Sequence, residues 1–265
     1  MSTDREWERW AVQDPYYSVL TNPIYRSNAL TTESRQEFFD SGRTQVTDLL
    51  ELCRRQVDAG FSPRRVLDFG CGVGRLVIPF AELAAEVVGV DVAPSMLAEA
   101  RRNCSARGLS NVELLPSDDR LSAVDGQFDL VHSFIVLQHL ELSRGRDLFA
   151  ALVDRIQPAG LGALHVTYGW DHYAATLGQR PPPPPPASPP GRQARLRTWL
   201  GSWRADASEP AKASAPASDP EMQMNFYNLS ELMYIVKRAG VERVHTELSD
   251  HGGVYGAYLL FQKPA

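Results

Sequence analysis

A short apolar run at residues 66–69 leads directly into glycines at positions 70, 72 and 74 and then into a helical pattern. Residues 65–75 therefore read as a strand, a tight turn and a helix N-terminus. Glycine suits the turn because a ligand must lie against bare backbone and because the turn calls for positive φ. The free N–H groups that open the helix suit a carboxylate or a phosphate. A dinucleotide loop of the form G-x-G-x-x-G would carry its third glycine at position 75, where this chain has Arg75, so the NAD reading is disfavoured. Asp68, two residues ahead of the first glycine, would repel a pyrophosphate but can accept hydrogen bonds from an ammonium group. A cationic ligand bearing an amino acid is the expectation.

Leu67-Asp68-Phe69-Gly70-Cys71-Gly72-Val73-Gly74 resembles motif I of the class I S-adenosylmethionine-dependent methyltransferases. An acidic residue about 20 positions further on should hold the ribose hydroxyls, and Val87-Val88-Gly89-Val90-Asp91 supplies it, followed by Ala93-Pro94-Ser95-Met96-Leu97, a phrase typical of that family. The resemblance implies S-adenosyl-L-methionine as cofactor and S-adenosyl-L-homocysteine as product. The implied cofactor-binding set is Asp68, Gly70, Cys71, Gly72, Gly74, Asp91, Val92, Asp118 and Ser133. Asp118 follows the third strand, where the family carries a carboxylate for the adenine amino group. The implied fold is a seven-stranded, mostly parallel sheet with helices on both faces and an antiparallel last strand.

Four regions are expected: a helical, aromatic-rich N-terminal cover at 1–60, a Rossmann-like core at 61–175, a Pro-rich insertion after the fifth strand at 176–221, and a last helix with a C-terminal hairpin at 222–265. In the cover, Thr31 or Thr32 should cap a short helix that Gly42 stops, with a second helix ending at Gly60. Tyr16, Tyr17 and Arg26 are candidates to approach the ligands, and Arg43 to lie near the cofactor. In the core, strands at 86–90, 112–115, 127–133 and 162–168 alternate with helices at 76–83, 94–107 and 143–156, which predicts a parallel sheet with right-handed crossovers. The turn at 157–160 precedes the fifth strand, and strands at 241–248 and 255–262 close the sheet.

Residues 176–220 hold eleven of the nineteen prolines, so this stretch is expected to be largely extended or disordered. Within it, Leu196, Trp199, Leu200 and Trp203 share one helical face, a lid, a docking helix for a partner or a membrane-surface contact at 192–204.

Ligands of an open α/β sheet sit beyond the carboxyl ends of its parallel strands, which singles out Gln138 and His139, then Tyr168, Asp171 and His172, then Asp250 and His251. Histidine titrates near neutrality and suits a general base; His139, His172 and His251 are the catalytic candidates, with His132 and His165 assigned to packing or support. The strand-end signature of enzymes that methylate exocyclic or amide nitrogens, Asn/Asp-Pro-Pro-Tyr, is absent after strand four. Phe134-Ile135-Val136-Leu137-Gln138-His139-Leu140 resembles the post-strand segment of small-molecule methyltransferases, and that resemblance implies a small-molecule acceptor, a sugar or natural-product hydroxyl; the alternatives are a protein methyltransferase that recognises its substrate through the insertion and a non-catalytic S-adenosylmethionine-binding partner subunit. A net charge of −5 argues against a general nucleic-acid binder. No run of 18 apolar residues suggests a membrane span and no apolar leader opens the chain, so a cytoplasmic protein is expected. Three cysteines without metal-like spacing suggest neither a disulfide framework nor a metal site.

Overall fold

The computed structural model describes residues 3–171 and 219–265. His172, nearly all of the Pro-rich insertion and the 192–204 face lie outside the described residues.

Seven strands form one sheet in the order β3-β2-β1-β4-β5-β7-β6. The strands are β1 (Arg65–Phe69), β2 (Glu86–Asp91), β3 (Val112–Pro116), β4 (Phe128–Ser133), β5 (Ile156–Trp170), β6 (Val244–Asp250) and β7 (Val254–Gln262). β1 to β5 run parallel, and β7 inserts antiparallel between β5 and β6. This is the seven-stranded architecture expected of the class I methyltransferase fold. Strands buried on both faces carry near-continuous apolar runs, as Val66, Leu67 and Phe69 do in β1.

The order reverses between β1 and β4, and there the carboxyl ends of both strands open onto a cleft. Asp129, near the start of β4, accepts from the backbone N–H groups of both Arg64 and Arg65 at 2.9–3.1 Å, fixing where β1 begins.

Helices α1 (Thr3–Gln13), α2 (Pro15–Val19), α3 (Thr32–Gln56), α4 (Val77–Leu83) and α5 (Pro94–Ser105) belong to one side, where Phe38, Val46, Leu50, Phe80 and Met96 join one apolar cluster. Helices α6 (Leu142–Asp154) and α7 (Leu229–Arg238) cover the other, with Leu148, Phe149, Leu232 and Val236 packed on Leu67, Val131 and Leu259. Pro79 sits at the third residue of α4, where its missing N–H costs no helical bond.

Several boundaries differ from the sequence reading. Gly42 stops nothing: α3 is continuous for 25 residues, capped by Thr31, and Gly42 is buried within it. A Cβ there would run into the backbone carbonyl of Arg75, so this glycine permits α3 to approach the loop after β1. β5 begins at Ile156 rather than 162, because the expected turn is absorbed as an irregularity in its pairing with β4, with Ala159 at φ 57°. β6 starts at Val244 and reaches Asp250. The chain is also tied to the fold before residue 222, since Arg26 donates to Asp219 at 2.6–2.9 Å.

Candidate active site

The loop after β1 is held by β2: the N–H groups of Gly70 and Cys71 both donate to the Val90 carbonyl, at 2.8 and 2.9 Å. Gly70, Gly72 and Gly74 all take positive φ, at 75°, 51° and 87°. Bare backbone is required at two of them. A Cβ on Gly70 would collide with Val136, and one on Gly72 would stand 2.9 Å from Val19. Gly74 faces Ala100 and Cys104 and serves helix packing away from the pocket wall.

Asp91 closes β2 with its carboxylate fixed by backbone. Oδ2 accepts from Gly72 N–H and Oδ1 from Ala93 N–H, each at 2.9 Å. Each oxygen keeps a lone pair for a hydroxyl donor. Burial pushes the carboxyl up to about 6, against the opposing pull of the two backbone donors. Cys71 also lines the pocket, and burial raises its thiol well above the ordinary range, so it is no thiolate nucleophile.

The pocket is walled by Asp68, Gly70, Cys71, Gly72, Asp91, Val92 and Asp118 of the expected cofactor set, and by Arg75, which that set did not include. The side chain of Asp118 is exposed and folds back on its own loop, Oδ1 accepting from Arg120 and Ser122 N–H at 2.9 Å, which holds its carboxyl below the usual range. Ser133 lies outside the wall; it is fully buried, and its hydroxyl has no hydrogen-bond partner among the described residues.

The rest of the wall is largely apolar and comes from afar. Trp7 and Asp4 of α1 and Ser18 and Val19 of α2 meet residues 134–136, Leu140 and Leu148. Arg144 on α6 joins the parts, donating to Asp4 at 2.6 and 3.1 Å and to Asp119 at 2.6 Å. Ile135 has φ 54°, an outlier for a β-branched residue. Such strain is kept where the surrounding structure imposes it.

Of the histidine candidates, His139 reaches the pocket. Its Nδ1 lies 2.7 Å from the Gln223 carbonyl, an acceptor only, so Nδ1 carries the proton and Nε2 offers a lone pair. Trp7 packs on the ring edge-on at 4.8 Å, and burial lowers its pKa to about 4. His251 is outside the wall: its Nε2 lies 3.0 Å from Ser249 Oγ and 3.2 Å from His165 Nε2, with Phe134 between this group and the pocket. Gln138 does not face the pocket either; it is buried, with its backbone carbonyl accepting from Asn225. The expected convergence of three strand ends thus divides, with His139 on the pocket and Asp171 pairing instead with Tyr255 at 2.6 Å.

The N-terminal candidates also move. Tyr16 donates to Glu99 at 2.5 Å, Arg26 stacks over Tyr17 at 3.5 Å, and Arg43 pairs with Glu82, all away from the pocket wall. Among the described residues, no group of three histidine, cysteine or carboxylate side chains is arranged to hold a metal ion.

Two features fit S-adenosylmethionine. The glycine cradle leaves space that a Cβ would fill, and Arg75, 4% exposed, has no hydrogen-bond partner for Nε among the described residues.

Residues 66–160 match the family model described as "Methyltransferase domain". Among curated relatives, a 23S rRNA (uracil(1939)-C(5))-methyltransferase of a Shewanella species is 46% identical over 76 residues, which is 29% of this chain and 16% of that protein. Aklanonic acid methyltransferase of a Streptomyces species is 40% identical over 120 residues, 44% of this chain and 51% of that protein. The chain thus spans about half or less of the length of these relatives. The magnesium protoporphyrin IX methyltransferase of Synechocystis, solved with bound S-adenosylmethionine, superposes with a TM-score of 0.59 at 15% identity, covering 99% of this chain and 98% of that one. That likeness shows a shared fold. The matched segment thus carries a methyltransferase domain at residues 66–160, set in a sheet with the fold of the class I methyltransferases.

Proposed function

We propose that the chain transfers the methyl group of S-adenosylmethionine to a hydroxyl of a small molecule, with His139 accepting the hydroxyl proton. The observation that carries this reading is one pocket with two unlike walls: a polar one of glycines, Asp68 and Asp91, and a largely apolar one that includes His139, whose Nδ1 is engaged by the Gln223 carbonyl and whose Nε2 keeps its lone pair. When bound, S-adenosylmethionine supplies a methyl on a positively charged sulfur, so the protein's task is to align the acceptor, exclude water and remove a proton.

Asp91 would hold the ribose hydroxyls, Asp68 the ammonium and Asp118 the adenine edge. Trp7, Phe134 and Leu140 exclude water and offer an aromatic or aliphatic acceptor a flat surface. A histidine held near 4 is a weak base, and general bases work best when their pKa is close to the operating pH. That favours an acidic hydroxyl, phenolic or enolic, over a sugar. With no helix of the described residues long and apolar enough to cross a membrane, a cytoplasmic location belongs to the same proposal.

The test is production of S-adenosylhomocysteine, followed by mass spectrometry, on a panel of phenols, enols and sugars. Turnover of the acidic hydroxyls, with His139→Gln lowering kcat by about 10²–10⁴ and KM little changed, is expected. Cofactor binding without turnover of any acceptor would overturn the proposal in favour of a non-catalytic partner subunit.

A further inference from the structure

Beneath the pocket a chain of buried and half-buried polar groups joins two of its charged wall residues. Asp68 Oδ1 lies 2.7 Å from His132 Nδ1, and both side chains are almost wholly buried. His132 Nε2 lies 3.3 Å from the Tyr258 hydroxyl, which accepts from Gln45 Nε2 at 3.3 Å. Gln45 Oε1 in turn accepts from Arg75 at 2.5 Å, and the other end of that guanidinium donates to Ser41 at 3.2 Å. The members come from β1, β4, β7, α3 and the glycine loop.

Donor capacity orients every link. Arg75 can only donate, so the amide oxygen of Gln45 faces it and the amide nitrogen faces Tyr258. The Tyr258 hydroxyl, which burial holds protonated well above its ordinary range, has His132 Nε2 as its acceptor among the described residues. His132 therefore accepts at Nε2 and donates from Nδ1 to the Asp68 carboxylate. The bonds run one way, from guanidinium through amide, phenol and imidazole to carboxylate. Such aligned bonds polarise one another in a low-dielectric interior.

No carboxylate of the described residues lies within ion-pair distance of Arg75, and its Nε is unpartnered although the side chain is 4% exposed. Arg75 and Asp68 both face the pocket. A buried cation and a buried anion, linked behind the wall and open in front, match a ligand with an adjacent carboxylate and ammonium.

We infer that His132, Tyr258 and Gln45 are positioning residues that tie Arg75 to Asp68 and set this pair to receive the zwitterionic amino-acid end of the cofactor, Arg75 taking its carboxylate and Asp68 its ammonium. This rests on the cofactor reading above.

Calorimetric titration with two ligands separates the two. S-adenosylhomocysteine carries the amino-acid end, and 5′-methylthioadenosine lacks it while keeping the adenosine and sulfur. Tyr258→Phe and Gln45→Leu preserve side-chain bulk and break the chain at different links. Each is expected to weaken S-adenosylhomocysteine about tenfold, the scale of one hydrogen bond in a charged network, and to leave 5′-methylthioadenosine within about twofold. The double variant should fall well short of the product of the single losses, because either break interrupts the same chain. Equal losses for both ligands, or fully multiplicative losses, would overturn the inference and leave these residues a packing role. Failure of the wild-type protein to bind either ligand would overturn the cofactor reading as well.

Discussion

The two walls of the pocket are built in different ways. The cofactor wall is mostly backbone from one continuous stretch: glycines at positive φ, N–H groups tied to Val90, and Asp91 held by Gly72 and Ala93. The wall proposed for the acceptor is mostly side chains from segments far apart in sequence, with Asp4 and Trp7, residues 134–136, and Arg144 with Leu148 brought together by ion pairs and ring packing. Backbone geometry admits few substitutions, whereas a side-chain wall can be altered one residue at a time. The first can keep one cofactor while the second changes its acceptor.

The sharpest way to break this contrast is Gly72→Val, which puts a β-branched residue at φ 51° and a Cβ against Val19. Strain and overpacking of about 3 kcal/mol or more should reduce affinity for S-adenosylhomocysteine about 100-fold, measured by calorimetry. Asp91→Ala comes next, at about 1–3 kcal/mol of cofactor affinity.

That carboxylate also sets a pH dependence. Its folded pKa, about 6, is raised above the ordinary 3.8, so its contribution to fold stability is full below 3.8 and is lost as pH rises through about 6. Cofactor affinity should run the other way, falling as pH drops through about 6, and Asp91→Asn should flatten that part of the profile. Burial of neutral His139 acts oppositely on stability, which is present above 6.5 and lost as pH falls towards about 4; thermal melts of His139→Gln against wild type at pH 7 and pH 5 should converge at the lower pH.

The smallest effect belongs to the acceptor wall. Arg144→Ala removes two partly exposed ion pairs, each worth about 0–1 kcal/mol. A few-fold rise in acceptor KM with cofactor affinity unchanged is expected. An equal loss of both would mean that the walls are not independent.

The same division decided what could be read from the chain. That Asp68, Gly70, Gly72 and Asp91 would line one pocket was legible because their placement depends on the strand ends and the loop they sit in, and the alternation of strands and helices carried the sheet. Asp4, Trp7 and Arg144 were not, since nothing local records that α1 crosses the cleft to meet α6. His132 required the β1–β4 register, which sets it directly beside Asp68. Gly42 misled because glycine late in a helical pattern signals a stop, and only the approach of Arg75 explains it. Arg75 itself left a faint signal: an arginine immediately after a glycine loop, where the emerging helix must pack on the sheet, has to be buried with partners.

Residues 171 and 219, the described ends on either side of the Pro-rich stretch, are both fastened to the folded body. Asp171 is bonded to Gly253 and Tyr255, and Asp219 to Gln13 and Arg26. The cost of joining two fixed posts grows only slowly with the length of chain between them. The posts make a socket. The folded body sets where both posts stand, whatever length of chain runs between them.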